Sequence, residues 1–320
     1  MVYIDKEKLK EIYPPNFRLD GDIQKWHVNE DGTIGFEGRF PLDGFEPYTC
    51  DGVEGLWNEE KRLFIPNEVA EQGAKSLVGA PILAPTPKIE NIREFFEKRY
   101  SMLDCYFEND GSVYNLSTDV DVLKKYEDSE TSFVFLSIDM VKSTELSLNL
   151  PLELNSIINN LFLNEIAIII RGMGGYVYKS VGDELIAFFE PVNLLNKVDD
   201  SILCSDYIRM FILDYLNKFL DKKGFPKVGF RTSINYGDVY VKNVGDKLEL
   251  NGYNLNATIK LQNFANDNEI ILGSNVVKLA HKKWKSRMKK LKINSRKLKQ
   301  ANLHEGMKVY RLHNLEGRYD

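Results

Sequence analysis

The stretches Ser132–Asp139 (SFVFLSID) and Gly175–Glu190 (GYVYKSVGDELIAFFE) each join apolar runs to a single aspartate. The first is a run of the buried-strand type that ends in the carboxylate of Asp139. The second holds two strand-like runs parted only by Gly182 and Asp183, the outline of a hairpin with a charged tip. Between them Pro151 opens a helix that places Leu154, Ile157, Ile158, Leu161 and Phe162 on one face, and Gly172, Gly174 and Gly175 close it. Downstream the pattern predicts a helix over Asp199–Leu220, strands KVGFRTSINYG and DVYVKNVG, a helix over Asn254–Ala265, the strand EIILG, another helix and a closing strand MKVYRLHNL. A βαββαβ order with extra C-terminal strands implies an α/β fold of the α+β sandwich kind. Its expected form is a ferredoxin-like core with helices on one side of a mostly antiparallel sheet.

Upstream the texture changes. Residues 1–125 are rich in Gly, Pro and aromatic residues, with short bursts such as TIGFEGRFPL and GLWNEEKRLFIP that read as strands joined by tight turns. One helix is expected near Ile89–Met102. The segment FENDGSVYNLSTDVDVLKKYEDSE carries few large apolar residues and reads as a linker. The expectation is a small N-terminal domain over 1–125, regulatory or dimerising, and a larger domain over 126–320 whose first strand starts at Thr131.

Composition narrows the function. The 320 residues are 43% hydrophobic and 28% charged, which suits two packed domains. A net charge of −5 offers no general field for nucleic acid or an anionic membrane, and the basic run Lys282–Lys299 reads as a solvated face. Cys50, Cys105 and Cys204 are scattered and odd in number, which suits a reducing cytoplasm better than a disulfide framework. The stretch MVYIDKEKLKEIYPP lacks a signal-peptide core, and the aliphatic run Ile166–Ile170 is too short to span a bilayer, so any regulation is expected to arrive through the cytosol.

If the first strand and the hairpin are neighbours in one sheet, Asp139 and Asp183 aim two hard oxygen ligands at one spot. Together with the backbone carbonyl of Ile138 they suit Mg²⁺ or Mn²⁺. Two such ions would polarise an attacking oxygen and neutralise a triphosphate, whereas the same carboxylates without cations would repel. The ordinary alternative makes Asp139 a helix N-cap before VKSTEL and Asp183 a turn residue.

FLSIDMVKST and GYVYKSVGDELIAFF resemble the two metal-site motifs of class III adenylate and guanylate cyclases, and the two aspartates stand 44 residues apart (183 − 139). FRTSINYGDVYVKNVG is similar to the next strand pair of that family, and ELNGYNLNATIKLQNFA to its transition-state segment, so the likeness covers about Thr131–Leu315. The resemblance implies a lyase that closes a nucleoside triphosphate into a 3′,5′-cyclic nucleotide with loss of pyrophosphate. Asp139, Asp183 and the Ile138 carbonyl would hold two ions, Asn256 would orient the ribose and Lys260 would contact the triphosphate. Asn256 and Lys260 stand four apart, hence on one helix face. Lys260 stands where the family usually has arginine, which keeps the charge and loses the planar fork. The resemblance also implies a homodimer, because the carboxylates and the Asn/Lys pair serve a site between two such domains.

By the same resemblance Lys179 and Glu249 fall where the base is read, and Phe135 is a further candidate for contacting substrate. A donor beside an acceptor matches adenine or cytosine. Tyr178 and Tyr253 are candidates for narrowing the pocket to a pyrimidine. A chain with no spanning segment or sensor motif, and with Lys260 and Glu249 as departures, resembles the antiphage pyrimidine cyclases of Pycsar systems. In those, cyclic CMP or cyclic UMP activates a separate effector. An adenylate cyclase is the alternative. A diguanylate cyclase would want Gly where Val181 stands and an essential Glu184, and a degenerate, non-catalytic domain is the remaining rival.

Overall fold

The computed structural model describes residues 22–28, 34–39, 46–50, 52–58, 63–67, 89, 91–108, 116–191, 194–245 and 247–313. The N-terminal stretch 1–21 and part of the expected linker, 109–115, fall outside the described residues. The chain divides into two compact units, Met1–Ala84 and Pro85–Asp320.

In the first unit β1 (Asp22–Val28) pairs antiparallel with β2 (Ile34–Arg39). A separate meander is formed by β3 (Glu46–Cys50), β4 (Val53–Asn58) and β5 (Leu63–Pro66). The turn from β3 to β4 passes through Gly52 at φ +79, a left-handed conformation that glycine adopts without strain. Tyr48, Trp57 and Phe64 gather on one face of the meander, with centroids 6.1 and 6.2 Å from the Tyr48 ring.

The second unit begins earlier than its sequence suggests. Helix α1 (Ile92–Glu108) belongs to it, because Phe96 and Leu103 are fully buried in its main core. Arg99 of α1 donates from Nε and Nη2 to Glu165 at 2.9 and 2.7 Å. The expected linker is tethered as well. Asp119 accepts at Oδ2 from Arg171 Nε (2.9 Å) and Val177 N (2.8 Å), and its own N–H donates to the Val177 carbonyl (2.7 Å). A 3₁₀ turn over Val120–Tyr126 then buries Leu123. Polar anchoring of this kind leaves little hydrophobic trace, so the boundary at 125 set by apolar content falls inside the second unit.

The central sheet follows the order β12-β13-β11-β9-β6-β8-β7, with β10 paired to β9 off that path. Its members are β6 (Ser129–Val141), β7 (Tyr176–Val181), β8 (Glu184–Phe189), β9 (Gly229–Val244), β10 (Lys247–Asn251), β11 (Glu269–Gly273), β12 (Met288–Lys290) and β13 (Val309–Leu312). The β6-to-β7 connection carries α2 (Ser143–Asn149) and α3 (Leu152–Gly172). The β8-to-β9 connection carries α4 (Leu194–Met210), a π-helical turn (Phe211–Leu216) and α5 (Asn217–Lys222). β9, β6, β8 and β7 form the βαββαβ core, with the hairpin strand β8 inserted between β6 and β7. All neighbouring pairs are antiparallel except β9 with β11.

Two differences from the sequence reading bear on the site. The expected pair of strands KVGFRTSINYG and DVYVKNVG is one continuous strand, β9, because β6 pairs with it over thirteen successive positions. Gly237 serves there as a packing gap, since a Cβ would stand 2.2 Å from Asn254 Nδ2. Helices also cover both faces of the sheet. α1, α3, α4 and α5 bury the face of Val134, Leu136, Ile138 and Met140. On the other face α6 (Tyr253–Leu261), β10 and the 3₁₀ turn close smaller cores around Phe133, Phe135, Phe188, Ala257 and Leu261.

Candidate active site

Pleating sends alternate β6 residues to opposite faces, so Ser137 and Asp139 share the face away from α3 and α4. The register places Asp139 opposite Glu184 of β8 on one side and opposite Arg231 of β9 on the other. β7 and β8 are closed by Gly182 and Asp183 alone, with Val181 facing Glu184 and Gly182 at φ +65, the conformation a two-residue turn wants at its first position. Asn159 of α3 braces the tip by donating to the Gly182 carbonyl at 3.4 Å. The sequence-predicted carboxylates Asp139 and Asp183 are therefore brought together, with Glu184 between the strands as a third. The N-cap alternative for Asp139 fails: β6 runs on to Val141, and α2 starts at Ser143 after Lys142.

The row is bonded on both flanks. Arg231 Nη2 donates to Asp139 Oδ2 at 2.5 Å. Gln262 Nε2 donates to Ser137 Oγ at 2.8 Å, and the Ser137 hydroxyl in turn donates to Glu184 Oε1 at 2.5 Å. Burial pushes the Asp139 carboxyl above the usual range; the Arg231 guanidinium opposes that and Asp183 adds to it. Glu184 is raised too, first by burial and then by Asp139 and Asp183, against the Ser137 hydroxyl and Lys179.

Asp139 Oδ1 is buried and has no hydrogen-bond partner. An orphaned carboxylate oxygen among neighbouring carboxylates that burial makes reluctant to ionise suits a hard divalent cation, which would satisfy the lone pairs and offset the repulsion. Among the described residues no group of three or more His, Cys, Asp or Glu side chains is placed to hold a metal ion by itself. One or two carboxylates completed by substrate phosphates is the way Mg²⁺ is usually held.

Of the base-reading candidates, Lys179 lies near Glu184, whereas Glu249 sits opposite Lys242, at the far end of β9 from Arg231. Lys179 is exposed at a bulge in β7 between Val177 and Lys179, and Glu249 is exposed on β10. Between them Tyr178 is buried and its hydroxyl accepts from Leu250 N at 3.0 Å, a direct tie between the strand of Lys179 and the strand of Glu249. Tyr253 plays no comparable part; its hydroxyl accepts from His304 N at 2.7 Å. Phe135, expected to contact substrate, is fully buried beside Phe133, so its ring is a core residue.

Asn256 and Lys260 lie on α6, whose inward face is Leu255, Ala257, Thr258 and Leu261. The helix is pinned to β9 by Ser233 Oγ donating to the Thr258 carbonyl (2.5 Å) and Asn235 Nδ2 donating to the Asn254 carbonyl (3.3 Å). Asn256 is exposed and Lys260 half-buried, and neither bonds to Asp139, Asp183 or Glu184 among the described residues. Sequence reasoning overlooked Arg231, Ser137 and Gln262. Their signal was present in the strand period for Ser137 and in the paired position of FRTS for Arg231, but only the register turns either into a neighbour.

The fold is that of solved guanylyl and adenylyl cyclases. A guanylyl cyclase, Cya2, matches with a TM-score of 0.51 and 15% identity over 61% of this chain and 98% of its own. The adenylyl cyclase CyaB from P. aeruginosa matches with a TM-score of 0.51 and 19% identity over 59% of this chain and 97% of its own. Among curated proteins the chain is similar to a cytidylate cyclase of Escherichia coli, 30% identical over 155 residues, covering 45% of this chain and 34% of the relative. It is also similar to a cytidylate cyclase of Staphylococcus aureus, 22% identical over 221 residues, covering 65% of this chain and 50% of the relative. The chain thus spans between a third and a half of these relatives' own lengths. No protein-family model matches the sequence, and among the described residues no helix is long and apolar enough to cross a membrane.

Proposed function

We propose that this protein is a nucleotide cyclase that converts a nucleoside triphosphate, CTP first among them, into a 3′,5′-cyclic monophosphate and pyrophosphate. The observation that carries the reading is Asp139 Oδ1, buried and unpartnered at a strand end within electrostatic reach of the hairpin-tip carboxylate Asp183. Asp139, Asp183 and the Ile138 carbonyl would hold Mn²⁺ or Mg²⁺. A bound divalent cation supplies Lewis-acid polarisation and neutralises triphosphate charge.

In the reaction the ribose 3′ oxygen attacks the α-phosphorus and the bond to pyrophosphate breaks, so positioning and charge carry most of the acceleration. Asn256 would orient the ribose and Lys260 would meet the phosphates. Because these two face outward from α6, a second copy of the chain supplies them to each carboxylate row, which makes the working form a homodimer. Lys179 would donate to the base and Glu249 accept from it, the order that cytosine N3 and its amino group require. The Tyr178 tie, which draws the two reading strands together, and the names of both curated relatives support a pyrimidine.

The product would act as a second messenger on a separate effector, in antiphage defence and in the cytoplasm, and the N-terminal unit would sense a signal or steady the dimer. The test is to incubate purified protein with equal ATP, GTP, CTP and UTP in Mn²⁺, with Asp183→Ala as control, and to identify products by mass spectrometry. Cyclic CMP absent from the control is the expected result. Cyclic AMP would overturn the base assignment, and no cyclic product from a folded dimer would overturn the cyclase reading.

A further inference from the structure

Among the described residues the arginine–carboxylate pairs include forks of two bonds and pairs joined through a single nitrogen. Arg99 grips Glu165 with two nitrogens on two oxygens, and Arg287 does the same with Asp206. Such a fork satisfies both partners and is what a structural arginine–carboxylate pair is expected to do. Arg231–Asp139 is joined through a single nitrogen, as Arg209–Asp206, Arg171–Asp119 and Arg311–Glu269 are, and what sets it apart is a buried unpartnered atom on each side. A single nitrogen, Nη2, holds a single oxygen, Oδ2, at 2.5 Å, while Oδ1 of Asp139 and Nε of Arg231 are both buried without a partner. The geometry is imposed by the sheet, because Asp139 and Arg231 are register partners across β6 and β9.

We propose that Arg231 is a positioning residue for the metal carboxylate: by holding Oδ2 from the β9 side it fixes the carboxylate plane and presents Oδ1 to the cation. The inference rests on the cyclase reading and deepens it. A carboxylate on a strand can turn about its terminal torsion, which has broad wells. Anchoring one oxygen with a charge-assisted bond removes that freedom before any cation arrives. Loss of a neighbour that orients a ligand in this way typically costs about 10–100-fold in metal affinity or activity. The Ser137–Gln262 chain performs the parallel task for Glu184, so the row is braced from both flanks.

The experiment is a Mn²⁺ titration of the full chain, read by the electron paramagnetic resonance signal of free Mn²⁺ without nucleotide. It is repeated as the Mn²⁺ dependence of cyclic-nucleotide formation. Variants are Arg231→Met, Arg231→Lys, Asp139→Ala and, as a control, Arg311→Met, which removes another cross-strand ion pair, to Glu269 at 2.9 Å. Arg231→Met is expected to weaken Mn²⁺ binding roughly 10–100-fold and to recover most turnover at saturating Mn²⁺. Arg231→Lys should restore part of the affinity, because it keeps the charge but not the planar group. Arg311→Met should bind Mn²⁺ as the wild type does. If the methionine variant does not fold, the lysine variant carries the test through the same affinity shift. Wild-type affinity in Arg231→Met, or tighter binding, overturns the inference while leaving the cyclase reading intact, provided Asp139→Ala abolishes binding. A wild-type protein that binds Mn²⁺ no better than Asp139→Ala would remove both.

Discussion

Toward α3 and α4, strand β6 contributes Val134, Leu136, Ile138 and Met140; toward α6 and β10 it contributes Phe133, Phe135, Ser137 and Asp139. The first set is apolar to the end. The second is equally buried at Phe133 and Phe135, then turns polar within two steps of the pleat, where Glu184 and Arg231 join from the neighbouring strands. The two faces have the same backbone and the same twist. What separates the core from the candidate site is thus four side chains at the end of one face, and a slip of one residue in register would bury the carboxylate under α3 and α4.

The sharpest way to break the comparison is at the polar end. Asp183→Ala should cut cyclic-nucleotide formation on the order of 10³-fold, about 4 kcal/mol of transition-state stabilisation, while thermal unfolding stays near wild type because the Asn159 bond that braces the tip goes to the Gly182 backbone and is kept. On the face covered by α3 and α4, Leu136→Ala should do the reverse. Leu136 is fully buried, so denaturant titration should show a loss of about 2–5 kcal/mol, with the residual folded fraction still active.

A residue between these extremes is Ser137. Ser137→Ala removes the acceptor of a buried Gln262 amide, a cost of about 1–3 kcal/mol in denaturation experiments, and it also frees Glu184. Glu184 itself tests the electrostatics. Its folded value is raised, so the native state holds the proton more tightly than the unfolded chain, and stability falls as pH rises from the ordinary carboxylate range through the folded value. Glu184→Gln in metal-free protein should therefore melt higher than wild type at neutral pH, and the gain should vanish under acid conditions; a gain that grew as pH fell would contradict the assignment. The smallest effect is expected from Tyr178→Phe. Losing its bond to Leu250 N should cost about 1 kcal/mol, visible as a few-fold shift in the CTP-to-ATP preference if the tie sets the width between Lys179 and Glu249.

Much of this was legible in the chain itself. The strand period of SFVFLSID and the two-residue gap at Gly182–Asp183 suffice to read a carboxylated strand end and a charged hairpin, since both depend on local chemistry. The tether at Asp119, the single long strand β9 and the burial of Phe135 were not, because each depends on partners distant in sequence: Arg171 and Val177, the whole length of β6, and the cover over the second face.

Residue type and spacing alone thus determined that Asp139 ends a strand and Asp183 a hairpin, that Asn256 and Lys260 share a helix face, and that the chain alternates strand and helix from Thr131 onward. Tertiary structure alone decided that Arg231 sits against Asp139, that Gln262 reaches Ser137, and that Tyr178 joins the strands of Lys179 and Glu249. The physical reason is that periodicity specifies which face a side chain occupies, whereas strand register and packing specify its neighbours across the sheet, and carboxylate chemistry depends on those neighbours.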